Sequence, residues 1–81
     1  MNATKTQFTE EYLIGLCKTA AEKGESRCEL DEGRLRAIVM RGPCDELSSP
    51  RVCVALWHVE DNRLVCVAHF KEGRVLSFRA V

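Results

Sequence analysis

One short pattern, repeated three times, constrains this chain more than anything else in it. Leu30-Asp31-Glu32-Gly33-Arg34-Leu35, Val59-Glu60-Asp61-Asn62-Arg63-Leu64 and Phe70-Lys71-Glu72-Gly73-Arg74-Val75 each place an acidic residue and then Asn or Gly between two runs rich in β-formers. Type I′ turns need positive φ at both central positions, and Asn and Gly accept it at least cost. The pattern therefore predicts two-residue hairpin loops at Glu32-Gly33, Asp61-Asn62 and Glu72-Gly73. The last two organise residues 51–81 as a three-stranded antiparallel meander, and the first makes 26–41 a hairpin in which Leu30 faces Leu35, Cys28 faces Ala37 and Glu29 faces Arg36. A helix over Leu30–Met40 is the competing reading of that first run. Gly33 and the β-branched pair Ile38-Val39 favour the hairpin.

Upstream of the hairpins the period changes to helical. Thr9 can cap a helix over 9–23, with Glu10 and Glu11 in its first turn and Gly24 as its C′ residue. Phe8 and Leu13 have the spacing of a hydrophobic staple. Tyr12, Leu13, Leu16, Cys17 and Ala20 form one stripe, and Ile14 falls off it, onto a flank or a partner. Residues 1–7 are polar and expected to be flexible. Residues 42–50 read as a loop bracketed by prolines, with Asp45-Glu46-Leu47 forming one helical turn, and this loop leaves the position of the second strand relative to the third open. The expected fold is α+β: one N-terminal helix on a four- to five-stranded antiparallel sheet, in a single domain over 1–81.

Two-residue loops fix a register. They put Trp57 opposite Cys66 and Cys66 opposite Arg79, and Leu56 opposite Val67 and Val67 opposite Phe78. One face then carries Val54, Leu56, His58, Val67, His69 and Phe78, and the other Cys53, Ala55, Trp57, Cys66, Ala68, Phe70, Val75, Ser77 and Arg79. Both faces are largely apolar, the pattern of a sheet covered twice. Five strands at ~4.8 Å span about 24 Å, whereas one helix is about 10–12 Å across. The helix is expected on the Leu56, Val67 and Phe78 face, which leaves the Trp57 face uncovered. Trp57, Phe70, Val75 and Arg79 are accordingly the candidate protein-binding surface, with Trp57 and Arg79 the anchors by residue type.

The same register closes other sites. His58 and His69 share a face but lie about 13 Å apart along their strands, and Cys53 and Cys66 are offset equally on the other face. Neither cysteine can reach a histidine without crossing the sheet, and Ser77 lacks a base. Five cysteines with no CxxC pair read as reduced thiols, with Cys17 in the core and Cys44 exposed. No metal, cofactor or catalytic residue is assigned, and the chain reads as non-catalytic, with a small enzyme the least favoured of the readings.

Composition bounds the partners. The chain is 46% hydrophobic and 30% charged, and its twelve basic and twelve acidic residues cancel, which removes the simplest case for a polyanion. No stretch suits a signal peptide or a membrane span, so a cytoplasmic protein is expected. The leading expectation is a small protein-binding module: a homodimer, adaptor or inhibitor-type subunit. The alternative is a single-stranded nucleic-acid binder, because eight of the twelve basic residues are arginines in or beside strands that also display Trp57 and Phe70.

Overall fold

The computed structural model describes residues 8–42 and 51–81. Helix α1 spans Glu10–Lys23 and is followed by strands β1 (Arg27–Leu30), β2 (Leu35–Arg41), β3 (Arg51–His58), β4 (Arg63–Lys71) and β5 (Arg74–Ala80). The strands form one antiparallel sheet in the order β1-β2-β3-β4-β5. The expected α+β class is the observed one, and the open question of β2 against β3 resolves as a simple meander. The reading at 42–50 of a loop with one helical turn lies, beyond Gly42, outside the described residues, as do the exposure of Cys44 and the flexibility of 1–7.

Local signals set the helix ends. Thr9 is the N-cap, and its hydroxyl oxygen accepts from the Tyr12 amide at 3.1 Å. Gly24 closes the helix with φ of 80°, a left-handed conformation that costs glycine little. Arg41, at the end of β2, donates to the Ala21 carbonyl at 2.9 Å and so satisfies one of the orphan acceptors of the last turn. Leu13, Cys17 and Ala20 are buried, with Phe8, Ile14, Leu16 and Ala21 packed beside them. Ile14 thus covers a flank of the core. Tyr12 departs from the expected stripe: it is 44% exposed, stacks on Phe8 and donates its hydroxyl to Asp31 at 2.8 Å. That bond holds the phenol above its ordinary range, because deprotonation would set two negative charges against each other.

The three hairpins behave differently. In β1–β2 the expected pairs Leu30↔Leu35, Cys28↔Ala37 and Glu29↔Arg36 all form. The expected turn at Glu32-Gly33 forms, with φ of 59° and 85° and the Arg34 amide donating to the Asp31 carbonyl at 3.1 Å, and a second turn overlaps it at Asp31-Glu32, where Asp31 has φ of 55° and the Gly33 amide donates to the Leu30 carbonyl at 3.1 Å. Arg34 braces it, with Nε 3.2 Å from the Asp31 carboxylate. In β4–β5 the expected turn forms at Glu72-Gly73, both left-handed. In β3–β4 it does not: only Asn62 has positive φ, its amide donates to the His58 carbonyl at 2.7 Å, and His58 pairs with Arg63. Residues 59–62 make a four-residue loop, a length that nature builds around a type I turn.

Two bulges follow, and they correct the expected faces. The register shifts between Leu56 and Trp57 opposite β4, and again between His69 and Phe70 opposite β5. Leu56 therefore pairs with Cys66 instead of Val67, and Phe78 with Ala68 instead of Val67. Because side chains alternate with period two, a one-residue slip turns a whole strand over. The helix does cover the face carrying Leu56 and Phe78, but β4 contributes Cys66, Ala68 and Phe70 to it. The inversion has a packing logic. Small residues at Cys17 and Ala20 of the helix meet small residues at Ala37, Cys66 and Ala68 of the sheet, all buried, so the helix sits close, while His69 turns away from the core.

Candidate functional site

The opposite face of the sheet has nothing from the described residues packed over it, and the pairing places its side chains in rows. Arg36 and Trp57 form one row, with Leu64 beyond them. Arg27, Ile38, Ala55, Val67 and Arg79 form the next, crossing all five strands. Met40, Cys53, His69 and Ser77 form the third, and Arg51, Lys71 and Arg74 the last. The centre is apolar and half-buried by its own neighbours at Ile38, Ala55, Trp57 and Val67, and Met40 is 58% exposed. Six basic side chains surround it (Arg27, Arg36, Arg51, Lys71, Arg74 and Arg79) against one acidic side chain, Glu29.

This distribution was hidden by the neutral total. Glu10, Glu11 and Glu22 lie on the helix, and Asp31, Glu32, Glu60, Asp61 and Glu72 sit at the turns. Acidic residues thus collect around the rim and on the helix side, and the open face is basic. A partner approaching that face meets a positive field although the net charge is zero.

The four surface residues expected from the sequence separate. Trp57 and Arg79 are on the open face. Phe70 is not, contrary to the expected register: it is 3% exposed beneath the helix. Val75, on the edge strand β5, pairs with Phe70 and so shares its side of the sheet, contrary to the expected place beside Trp57, and it is exposed there. Cys66 also leaves the open face and packs against Cys17, with Sγ atoms 4.0 Å apart, where neither is exposed. Sharing a proton with Cys66 and burial push the Cys17 thiol above its ordinary range.

The bulges also reopen contacts that the expected register forbade. His58 is on the helix side, its ring 6.3 Å from that of Phe8, so the two histidines occupy opposite faces. His69 now lies directly opposite Cys53 on one strand and Ser77 on the other. Its Nδ1 is 3.1 Å from the Ser77 hydroxyl, which corrects the expectation that Ser77 has no basic neighbour. The only sequence signal for this arrangement is the alternation Val67, His69, Lys71 against Ala68 and Phe70, in which the polar residues of β4 favour solvent over the core.

A second concavity opens at the helix N-terminus, lined by Phe8, Leu13, His58, Leu64, Val65 and Val81 with Arg34, Arg63, Glu60 and Asp61 at its mouth. Its charges balance, so it selects no ionic ligand. Among the described residues no helix is long and apolar enough to cross a membrane. Comparison with protein-family models, with characterised proteins and with solved structures gave no match to this chain.

Proposed function

We propose that this protein is a non-catalytic protein-binding module whose open sheet face docks on an acidic protein surface. The observation that carries the reading is the one-sided sheet: an apolar centre at Ile38, Ala55, Trp57 and Val67 framed by six basic side chains and one acidic one. An uncovered apolar patch inside a polar frame is the usual anatomy of an interface, and Trp and Arg are the residues that most often dominate binding energy. Trp57, Arg36 and Arg79 are the anchors of the proposed contact. A carboxylate-bearing partner gains bidentate pairing with the arginines, whereas a second copy stacked face to face would set the two basic frames against each other. For self-association the favoured route is the β5 edge, whose outer backbone is unpaired within the described residues.

Selection from a displayed peptide library tests this. Enriched peptides should carry Asp or Glu beside an aromatic or aliphatic residue and should lose at least tenfold in affinity on Trp57→Asp and on the double change Arg36→Glu, Arg79→Glu. Peptides indifferent to all three changes would overturn it. Light scattering should give a monomer mass; a dimer insensitive to Trp57→Asp would assign self-association to β5.

One observation favours a second reading. Trp57 stands beside Arg36 on a basic sheet, the pairing of ring and guanidinium that stacks an unpaired base and holds its phosphate. Binding of an oligothymidylate that falls steeply with salt and vanishes with Trp57→Ala would replace the acidic protein by single-stranded nucleic acid.

A further inference from the structure

The third row of the open face brings together three soft donors from three adjacent strands. Met40 on β2 pairs with Cys53 on β3, and Cys53 pairs with His69 on β4. Directly opposite residues on one face hold their Cβ atoms about 4.5–5.5 Å apart, so a thioether and an imidazole flank a central thiol. Cys53 and His69 are half-buried, and Met40 is exposed, so all three are reachable from solvent. Among the described residues no three His, Cys, Asp or Glu side chains converge on a point; the third donor here is the sulfur of Met40.

We infer that Met40, Cys53 and His69 form a binding site for monovalent copper. Three features of the row select that ion. The donor set is one thiolate, one thioether and one imidazole nitrogen, and thiolate with thioether is the combination that selects Cu(I) among biological metals. The His69 ring is already oriented: Nδ1 is engaged with Ser77 on the β5 side at 3.1 Å. With Nδ1 so engaged, Nε2, the distal nitrogen of the ring, is the one left to donate to a metal. A ligand histidine whose second nitrogen is held by a hydrogen bond is the usual architecture of a protein metal site. Charge supplies the third argument. Arg51, Lys71 and Arg74 make the adjoining row, which opposes a divalent cation, whereas Cu(I) bound to one thiolate adds no net charge. Zinc is further disfavoured because it takes four ligands from Cys, His and carboxylates and has little use for a thioether.

The row lies within the basic frame of the proposed docking surface, but its donors are distinct from the docking anchors Trp57, Arg36 and Arg79. Cys53 and Trp57 are four residues apart on β3, about 13 Å, so Trp57→Asp should abolish partner docking and leave copper affinity unchanged.

The test is an anaerobic titration of the reduced full-length protein with Cu(I) against bicinchoninate, a coloured Cu(I) chelator. The expected result is one tightly held equivalent with a thiolate-to-copper charge-transfer band in the ultraviolet. Cys53→Ser and Cys53→Ala should each weaken binding by at least about a hundredfold, more than the ~10–100-fold typical of losing an outer partner. Met40→Leu, the exposed member and so the variant least able to disturb the fold, and His69→Gln should each cost about tenfold or more, and Ser77→Ala about tenfold through loss of ring orientation. Cys44→Ser should change nothing. Retention of the copper equivalent in both Cys53 variants, its loss in Cys44→Ser, or wild-type affinity in both Met40→Leu and His69→Gln would overturn the assignment. So would an affinity for Zn(II) that depends on Cys53 but not on Met40.

Discussion

The two faces of this sheet are built from the same five strands and yet solve different problems. The helix side is sealed: Leu35, Ala37, Val54, Leu56, Cys66 and Ala68 have no exposure at all, and no polar or charged side chain is buried among the described residues. The open side keeps Ile38, Ala55, Trp57 and Val67 only half-buried and rings them with arginines. Apolar content alone therefore does not distinguish core from interface here. What distinguishes them is side-chain size and the company of charge, since the sealed face is largely small or aliphatic and the open face mixes apolar with cationic groups.

That contrast can be broken most forcefully at the centre of β3 and β2. Leu56→Ala, on the sealed side, should cost about 2–5 kcal/mol in denaturant unfolding, because the helix and sheet cannot collapse fully into the space left behind. Ile38→Ala, on the open side, should cost well under half as much. Equal costs for the two would mean that the open face is covered in solution, and would turn the search towards self-association.

A smaller effect tests the sealed thiol pair. Because the Cys17 thiol is raised in the folded state, its contribution is intact below the unfolded value near 9.0. As pH rises past that value the unfolded chain releases a proton that folded Cys17 keeps, which lowers stability by at most about 1.4 kcal/mol per pH unit, while the Cys66 thiol, lowered by its hydrogen bond with Cys17, acts in the opposite sense and reduces the net slope. Urea unfolding followed from pH 7 to 10 should therefore give a shallow alkaline slope, and Cys17→Ala, which leaves the Cys66 thiol raised by burial alone, should steepen it. A slope unchanged by Cys17→Ala would place the alkaline sensitivity elsewhere.

The helix that makes the two faces different depends on its cap. Thr9→Ala removes the hydroxyl acceptor for the Tyr12 amide and should lower stability by about 1 kcal/mol, read as a drop in the denaturation midpoint at constant slope. Thr9→Asp should recover most of that loss. The smallest expected effect is Trp57→Asp on stability, about 0.5 kcal/mol or less for a half-exposed surface position, together with complete loss of peptide binding. A large destabilisation by this change would show that Trp57 serves the fold more than the interface.

Much of the architecture is legible along the chain because its determinants are local. Thr9 and Gly24 bound the helix through hydrogen bonds and dihedrals that involve only their neighbours. The acidic and glycine residues at 31–33 and 72–73 take left-handed conformations that pin two hairpins. Asp61-Asn62 resembles the same signal, but Asp61 does not turn left-handed, and the longer loop that results is equally compatible with its residues. Of the expected contact surface, Trp57 follows the alternation along β3, and Arg79 reaches the same face because the two one-residue slips, one on each side of β4, cancel across it. Phe70 and Cys66 face inward because the side of β4 is set by its pairing with another strand, which no local signal fixes.

The sequence by itself determined the element types, two of the three hairpin turns and the excess of apolar sheet over the helix that could cover it. Only the tertiary structure decided which side of β4 lies beneath that helix. Two bulges turned the strand over, and with it moved Phe70 and Cys66 inward and set His69 beside Cys53. A bulge costs little locally and is repaid by packing at a distance, here by the close approach of Cys17 and Ala20 to Cys66 and Ala68 and by the release of a histidine from the core. That balance is struck among residues about fifty positions apart, so it leaves no mark on any short stretch of the chain.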